Sequence, residues 1–211
     1  MARSSDTRTR LLEASAQLFR QQGYAGTGLK EITASGGAPW GSLYHFFPGG
    51  KEELGAEAIT HSGRRYLKLY DLVYERAGQD PVRAVRDFFQ LSIDALEASG
   101  FADGCPIATV ALEVASTSEP LRHACQEVFT SWQHAIAGFF ARSGAAPGEA
   151  ADLATYVLAA FEGAIVLSRA AHDTTPLRVI AGIVARSVEA SLGGGPRAAG
   201  AVPGNLARHR R

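Results

Sequence analysis

Between Thr27 and Lys51 the chain gathers side chains that bind anions and lie against flat surfaces. They are the hydroxyls of Thr27, Ser42 and Tyr44, the imidazole of His45, the ammonium of Lys51 and the indole of Trp40. Such groups bond phosphate oxygens or touch base edges. Nothing among them couples a nucleophile to a base. HExxH, GxSxG, a P-loop and a GxGxxG fingerprint are all missing, and Gly26-Thr27-Gly28 lacks the third glycine. His61, His123, His134 and His172 are scattered, with no nucleophile or metal ligand at a telling spacing. Neither an enzyme nor a metal or cofactor site is expected.

Those residues need elements to hold them. A short apolar-patterned helix over Leu29 to about Ser35 meets Gly36-Gly37, and a second short helix begins at Pro39. Two small helices joined by a tight glycine turn make a helix-turn-helix, whose second helix enters the major groove of DNA. Pro39, Trp40, Gly41 and Ser42 then form the turn that faces base edges. Inside an ordinary helix Gly41 costs about 1 kcal/mol relative to Ala, which favours a close approach to a partner. Thr27 is expected to cap the first of these helices and to offer its hydroxyl and N–H to a phosphate, with capping alone as the plainer reading. Tyr44 and His45 are expected on phosphates, with packing and solvation as the alternative, and Leu43 and Phe47 in the core. Lys51 should be a further phosphate contact. Arg3, Arg8 and Arg10 form either a minor-groove arm or solvated charge.

The net charge is zero, but it is unevenly spread. Residues 1–51 hold six Arg and Lys against three acids, residues 52–192 eleven against eighteen, and residues 193–211 four arginines and no acid. A basic head on an acidic body suits a molecule of which one end meets phosphate. The hydrophobic share of 46% supports a substantial core. The apolar run at 156–167 contains Glu162 and falls short of the ~20 residues of a membrane span, so no membrane partner and a cytoplasmic protein are expected. Cys105 and Cys125 match no metal spacing; free buried thiols are expected, with a disulfide left open.

Helical signals run nearly end to end, and nothing alternates long enough to make a strand. The pattern predicts an all-α fold of about nine helices. Asp6 or Thr7 caps the first, and long helices start near Lys51, Pro81, Pro120 and Glu149. Pro106 sits in the first turn of a short helix, and the last helix covers about 177–192. The expected units are a head at 1–50, a body at 51–192 and a disordered tail at 193–211.

At Gly23-Tyr24, Thr27, Ile32, Gly37, Gly41, Leu43-Tyr44, Phe47 and Lys51 the chain resembles the tetracycline-repressor (TetR) family of regulators. GSLYHFFPGGKEEL, with its extra glycine before the lysine, resembles the subgroup of drug-responsive repressors related to LmrA and YxaF. The resemblance implies a homodimer on a pseudo-palindromic double-stranded operator, released by a small-molecule effector held in the helical body. Trp40 departs from the Lys, Arg or small polar residue of many relatives; it either stacks on a thymine methyl or sugar or packs back onto the head, and a different operator is expected. An activator reads identically in sequence, and a head used for protein contacts is the remaining alternative.

Inward-facing stripes in the body give a candidate effector pocket: Phe88, Leu91 and Ser92; Thr109, Leu112 and Glu113; Phe129, Trp132 and Gln133; Tyr156, Phe161 and Glu162. Plain core is the competing reading. The aromatic content suggests a flattish, lipophilic effector. Ala160, Gly163, Ala164 and Leu167, with Ile180, Ile183, Val184 and Ser187, form stripes expected to build a four-helix dimer interface, or else an internal core.

Overall fold

The computed structural model describes residues 2–193, with side chains from Asp6 to Leu192. The tail expected to be disordered and the side chain of Arg3 lie outside the described residues. Among these, the elements are helices only: α1 Ala2–Gln22, α2 Leu29–Ser35, α3 Trp40–Phe46, α4 Gly50–Arg76, α5 Pro81–Ala98, α6 Pro106–Val114, α7 Glu119–Arg142, α8 Pro147–Ala171 and α9 Thr175–Gly193.

Local chemistry explains where the body helices begin. Asp80 caps α5, its carboxylate accepting from the backbone N–H of Val82 at 2.9 Å and of Arg83 at 3.1 Å, while Pro81 supplies a preset first turn. Ser118 and Cys105 cap α7 and α6 in the same way, each followed by a proline in the first turn. Three starts differ from expectation: α1 begins at Ala2 rather than at Asp6 or Thr7, α8 at Pro147 rather than Glu149, and α9 at Thr175 rather than 177.

The packing forms two buried clusters. One runs from the head into the body without a break, through Leu11, Phe19, Ile32, Leu43, Phe47, Leu54, Val110, Leu121 and Trp132. The other joins α5, α8 and α9 through Phe89, Ile93, Phe161, Leu177 and Val184. The long helices α4 and α7 cross closely at Gly63, where an added Cβ would stand 2.6 Å from a Val128 methyl. The Val128 side chain fills the space, and Trp132 Nε1 donates to the Gly63 carbonyl at 3.0 Å. Small-residue contacts of this kind let helix axes approach and fix their register.

Candidate nucleic-acid interface and adjoining cavities

The turn between α2 and α3 is closed by backbone bonds from Gly36 N–H to the Ile32 carbonyl at 2.9 Å and from Ala38 N–H to the Thr33 carbonyl at 2.9 Å. Gly37 takes φ +56°, a conformation that favours glycine. Its carbonyl accepts from Arg10 of α1 at 3.1 Å, which ties the turn to the first helix.

Helix α3 is held from one side only. Leu43 within it and Phe47 just after it are fully buried, as expected. Trp40 and Tyr44 keep 46% and 51% of their surface exposed, and pack edge to face at 6.1 Å. Pro39, Gly41 and His45 are exposed and Ser42 is half-buried. A Cβ added at Gly41 would meet nothing within 4 Å, so no internal contact requires glycine there. Two adjacent aromatic rings thus stand in water beside a polar face.

Three expectations about the head change. Thr27 is not a cap: Gly28 holds that position, and the Thr27 hydroxyl is buried and donates to the Gly23 carbonyl at 2.6 Å. It locks the α1–α2 turn and has no free hydroxyl to offer. Arg8 and Arg10 belong to a helix rather than an arm; Arg8 pairs with Glu57 and lies over the Phe47 ring, and Arg10 serves the turn. Lys51 donates to the Tyr24 carbonyl at 2.7 Å and sits 4.3 Å from the centre of the Tyr24 ring. Burial lowers its pKa, against an opposing pull from Glu113. It braces the head onto α4 with part of its donor capacity.

The body contains two adjoining cavities. The first, of about 60 Å³, is almost wholly apolar, with Tyr70, Tyr74, Phe88, Phe139 and Phe161 among its walls. The second, of about 120 Å³, shares Tyr70 and Phe161 with it and adds Arg20, Tyr66, Ser92, Asp103, Cys105 and Trp132. Its floor belongs partly to the head, since Arg20 of α1 pairs with Asp103 at 3.2 Å. Gln21 donates to Asp103 at 3.0 Å, and Gly104 N–H donates to the Arg20 carbonyl at 3.1 Å. Arg169 of α8 completes the joint, bonding the Ala102 carbonyl at 2.9 Å.

Of the expected pocket residues, Phe88, Leu91, Ser92, Trp132 and Phe161 line these cavities. Thr109, Leu112 and Glu113 do not. The inward face of α6 is Pro106, Ile107, Val110 and Val114, which turns the other three outward. Leu112 is 80% exposed, and the Glu113 carboxylate instead accepts from Ala25 N–H of the head at 2.7 Å. Phe129 and Gln133 line an outer groove beside Cys125. Tyr156 is exposed on the outer side of α8. Glu162, expected in the pocket, lines neither cavity: its carboxyl is buried beside Cys105, and burial pushes it up to about 7 against a downward pull from that thiol. Burial likewise raises both cysteines, Cys125 to about 11. Both thiols are free, as expected.

Sequence reasoning missed Tyr66, Tyr70, Tyr74 and Arg20. The first three recur every fourth residue along α4, a periodicity that marks a common face. Arg20 carried no local signal.

The stripes expected at a dimer face divide. Ala164 and Val184 are buried inside the subunit and join its own core, so they cannot meet a partner. Ala160, Ile180 and Ser187 are half-buried. Gly163, Leu167 and Ile183 are exposed, and Val166 and Val179 lie exposed on the same two helices.

The bacterial regulatory protein, tetR family model matches residues 11–58, and that of the transcriptional regulator LmrA/YxaF-like C-terminal domain matches residues 81–182. The HTH-type transcriptional regulator YxaF of Bacillus subtilis is 40% identical over 86% of this chain and 94% of its own. The HTH-type transcriptional regulator LmrA of the same organism is 36% identical over 82% and 91%. In fold, a TetR regulatory protein of Rhodobacter sphaeroides superposes with a TM-score of 0.76 at 23% identity, covering 84% of this chain and 96% of that one. The reduced form of Escherichia coli NemR gives 0.76 at 23% identity, over 85% and 95%. The chain belongs to the TetR family of bacterial transcriptional regulators, in its LmrA/YxaF-like group, and is a regulator rather than an enzyme.

Proposed function

We propose that the chain is a homodimeric repressor whose residues 1–50 read a pseudo-palindromic operator and whose residues 51–192 release it when a small lipophilic effector binds. The observation that carries the reading is α3: a helix buried on one side, presenting Trp40, Gly41, Ser42, Tyr44 and His45 outward, with a glycine that no internal contact needs. Relatives named as repressors include DhaR of a Mycobacterium species, 28% identical over 84% of this chain. Trp40 and Ser42 supply base discrimination, while Tyr44, His45 and the spare donors of Lys51 hold phosphates. The apolar cavity between α4, α5, α7 and α8 takes the effector. Occupancy favours an arrangement in which α4 swings and the two heads no longer match successive grooves. Operator and effector then weaken each other by the same factor.

The test starts from duplexes selected out of a random pool by the full chain, with affinity measured by fluorescence anisotropy across salt. Binding should fall steeply as salt rises, because phosphate contacts release counterions. Tyr44→Ala should weaken all selected duplexes by about tenfold or more, whereas Trp40→Ala should change which duplex wins. Normal binding by Tyr44→Ala would refute the docking.

A further inference from the structure

Among the described residues of the body, two ionisable side chains, His61 on α4 and Glu162 on α8, bury polar atoms that make no hydrogen bond of normal geometry, and Glu162 has the Cys105 thiol beside it. Both carboxyl oxygens of Glu162 on α8 are shielded from solvent and accept no hydrogen bond of normal geometry. The groups that feel its charge are Cys105, Tyr66 and Tyr70, and each of the three forms part of the wall of the second cavity. Arg20, the basic residue of that wall, pairs through Nη2 with Asp103 and Gln17, while its buried Nε makes no hydrogen bond. A buried carboxylate in such surroundings is costly unless a positive or hydrogen-bonding group meets it.

The same wall is built of aromatic rings. Trp132 lies 5.3 Å from Tyr66 and 5.8 Å from Tyr70, ring centre to ring centre. Phe88, in the wall of the apolar cavity, lies 4.9 Å from both Tyr70 and Phe161, which the two cavities share. Ring faces attract cations, and Tyr and Trp do so most strongly where water is excluded. Carboxylate and rings thus favour the same sign of guest. Glu162 stands behind this wall, beside the Cys105 thiol, and Asp103 within the wall is already paired with Arg20.

We propose that the second cavity, walled by Tyr66, Tyr70, Cys105, Trp132 and Phe161, receives the positively charged end of a lipophilic organic cation, with Glu162 as its counter-ion. The guest is an ammonium or amidinium carried on an aromatic or alkyl body, and that body extends past Tyr70 and Phe161 into the apolar cavity. This rests on the reading of the cavities as the effector site and adds to it the charge of the effector.

Calorimetric titration of the full chain with three probes of matched size tests it. The probes are (1-naphthylmethyl)trimethylammonium, its uncharged carbon isostere and 1-naphthylacetate. The cation should bind at least tenfold more tightly than the isostere, and the acetate most weakly. Glu162→Gln should abolish the preference for the cation and leave the isostere within twofold of its original affinity. Equal binding of cation and isostere by the unaltered chain, or a preference that survives in Glu162→Gln, overturns the proposal while leaving a lipophilic effector in place. Failure of all three probes to bind overturns the effector reading as well.

Discussion

Glu162 also makes a prediction about stability. Its carboxyl ordinarily titrates near 4.5 and is raised to about 7 in the fold by burial. Between those values the folded chain holds a proton that the unfolded chain has released, so stability falls as pH rises through this window. The loss amounts to roughly 3 kcal/mol at most, at about 1.4 kcal/mol for each unit of displacement. Glu162→Gln should therefore match the unaltered chain near pH 4.5 and exceed it above pH 7.5, by roughly 1–3 kcal/mol in urea titrations. An unchanged difference across pH would mean that the carboxyl finds a partner. At this scale the sequence was legible only in part. Glu162 stood out because a carboxylate on an apolar face is unusual. Thr27 misled because a threonine ahead of a helix suits either a cap or a turn lock, and the choice depends on where Gly23 places its carbonyl.

Among the elements, the crossing of α4 and α7 is set by Gly63. Its Cβ position is already filled by Val128, and its carbonyl receives the Trp132 indole. Gly63→Val should force the helices apart and lose that bond, destabilising the chain by about 2 kcal/mol or more in urea titrations, with Trp132 fluorescence shifted to the red. A variant as stable as the parent would show that the crossing can slide. Helix existence and order were readable from period and punctuation: Pro81, Pro106 and Pro120 mark starts, and the Gly36-Gly37 pair marks the turn. Helical phase was not always readable. With nine residues α6 offers two plausible faces, and only its packing on α1 and α7 decides that Val110 turns inward and Leu112 outward. The same ambiguity placed Ala164 and Val184 at a subunit contact, though each lies inside the core.

For the whole molecule, the exposed apolar residues of α8 and α9 fit a two-fold contact. Leu167 and Ile183 are exposed on these helices, with Gly163 and Val166 beside Leu167. Two such helices from each copy build a compact bundle. Leu167→Glu should yield monomers by analytical ultracentrifugation and lower affinity for a two-half-site operator by about a hundredfold or more, while a half-site duplex binds as before. Persistent dimers would move the contact elsewhere. The basic head and acidic body were legible from charge counts alone. The joint between them was not, because Arg20 and Asp103 lie 83 positions apart and neither belongs to a motif.

That joint has a lasting implication. Arg20 is a residue of the first helix and also part of the lining of a chamber in the body. The room and the DNA-facing end share a common partition, held by Asp103 and by the Arg169 strut behind it. Any substitution that remodels the chamber disturbs the seating of α1 in the same stroke. The shape of the one and the placement of the other are altered together.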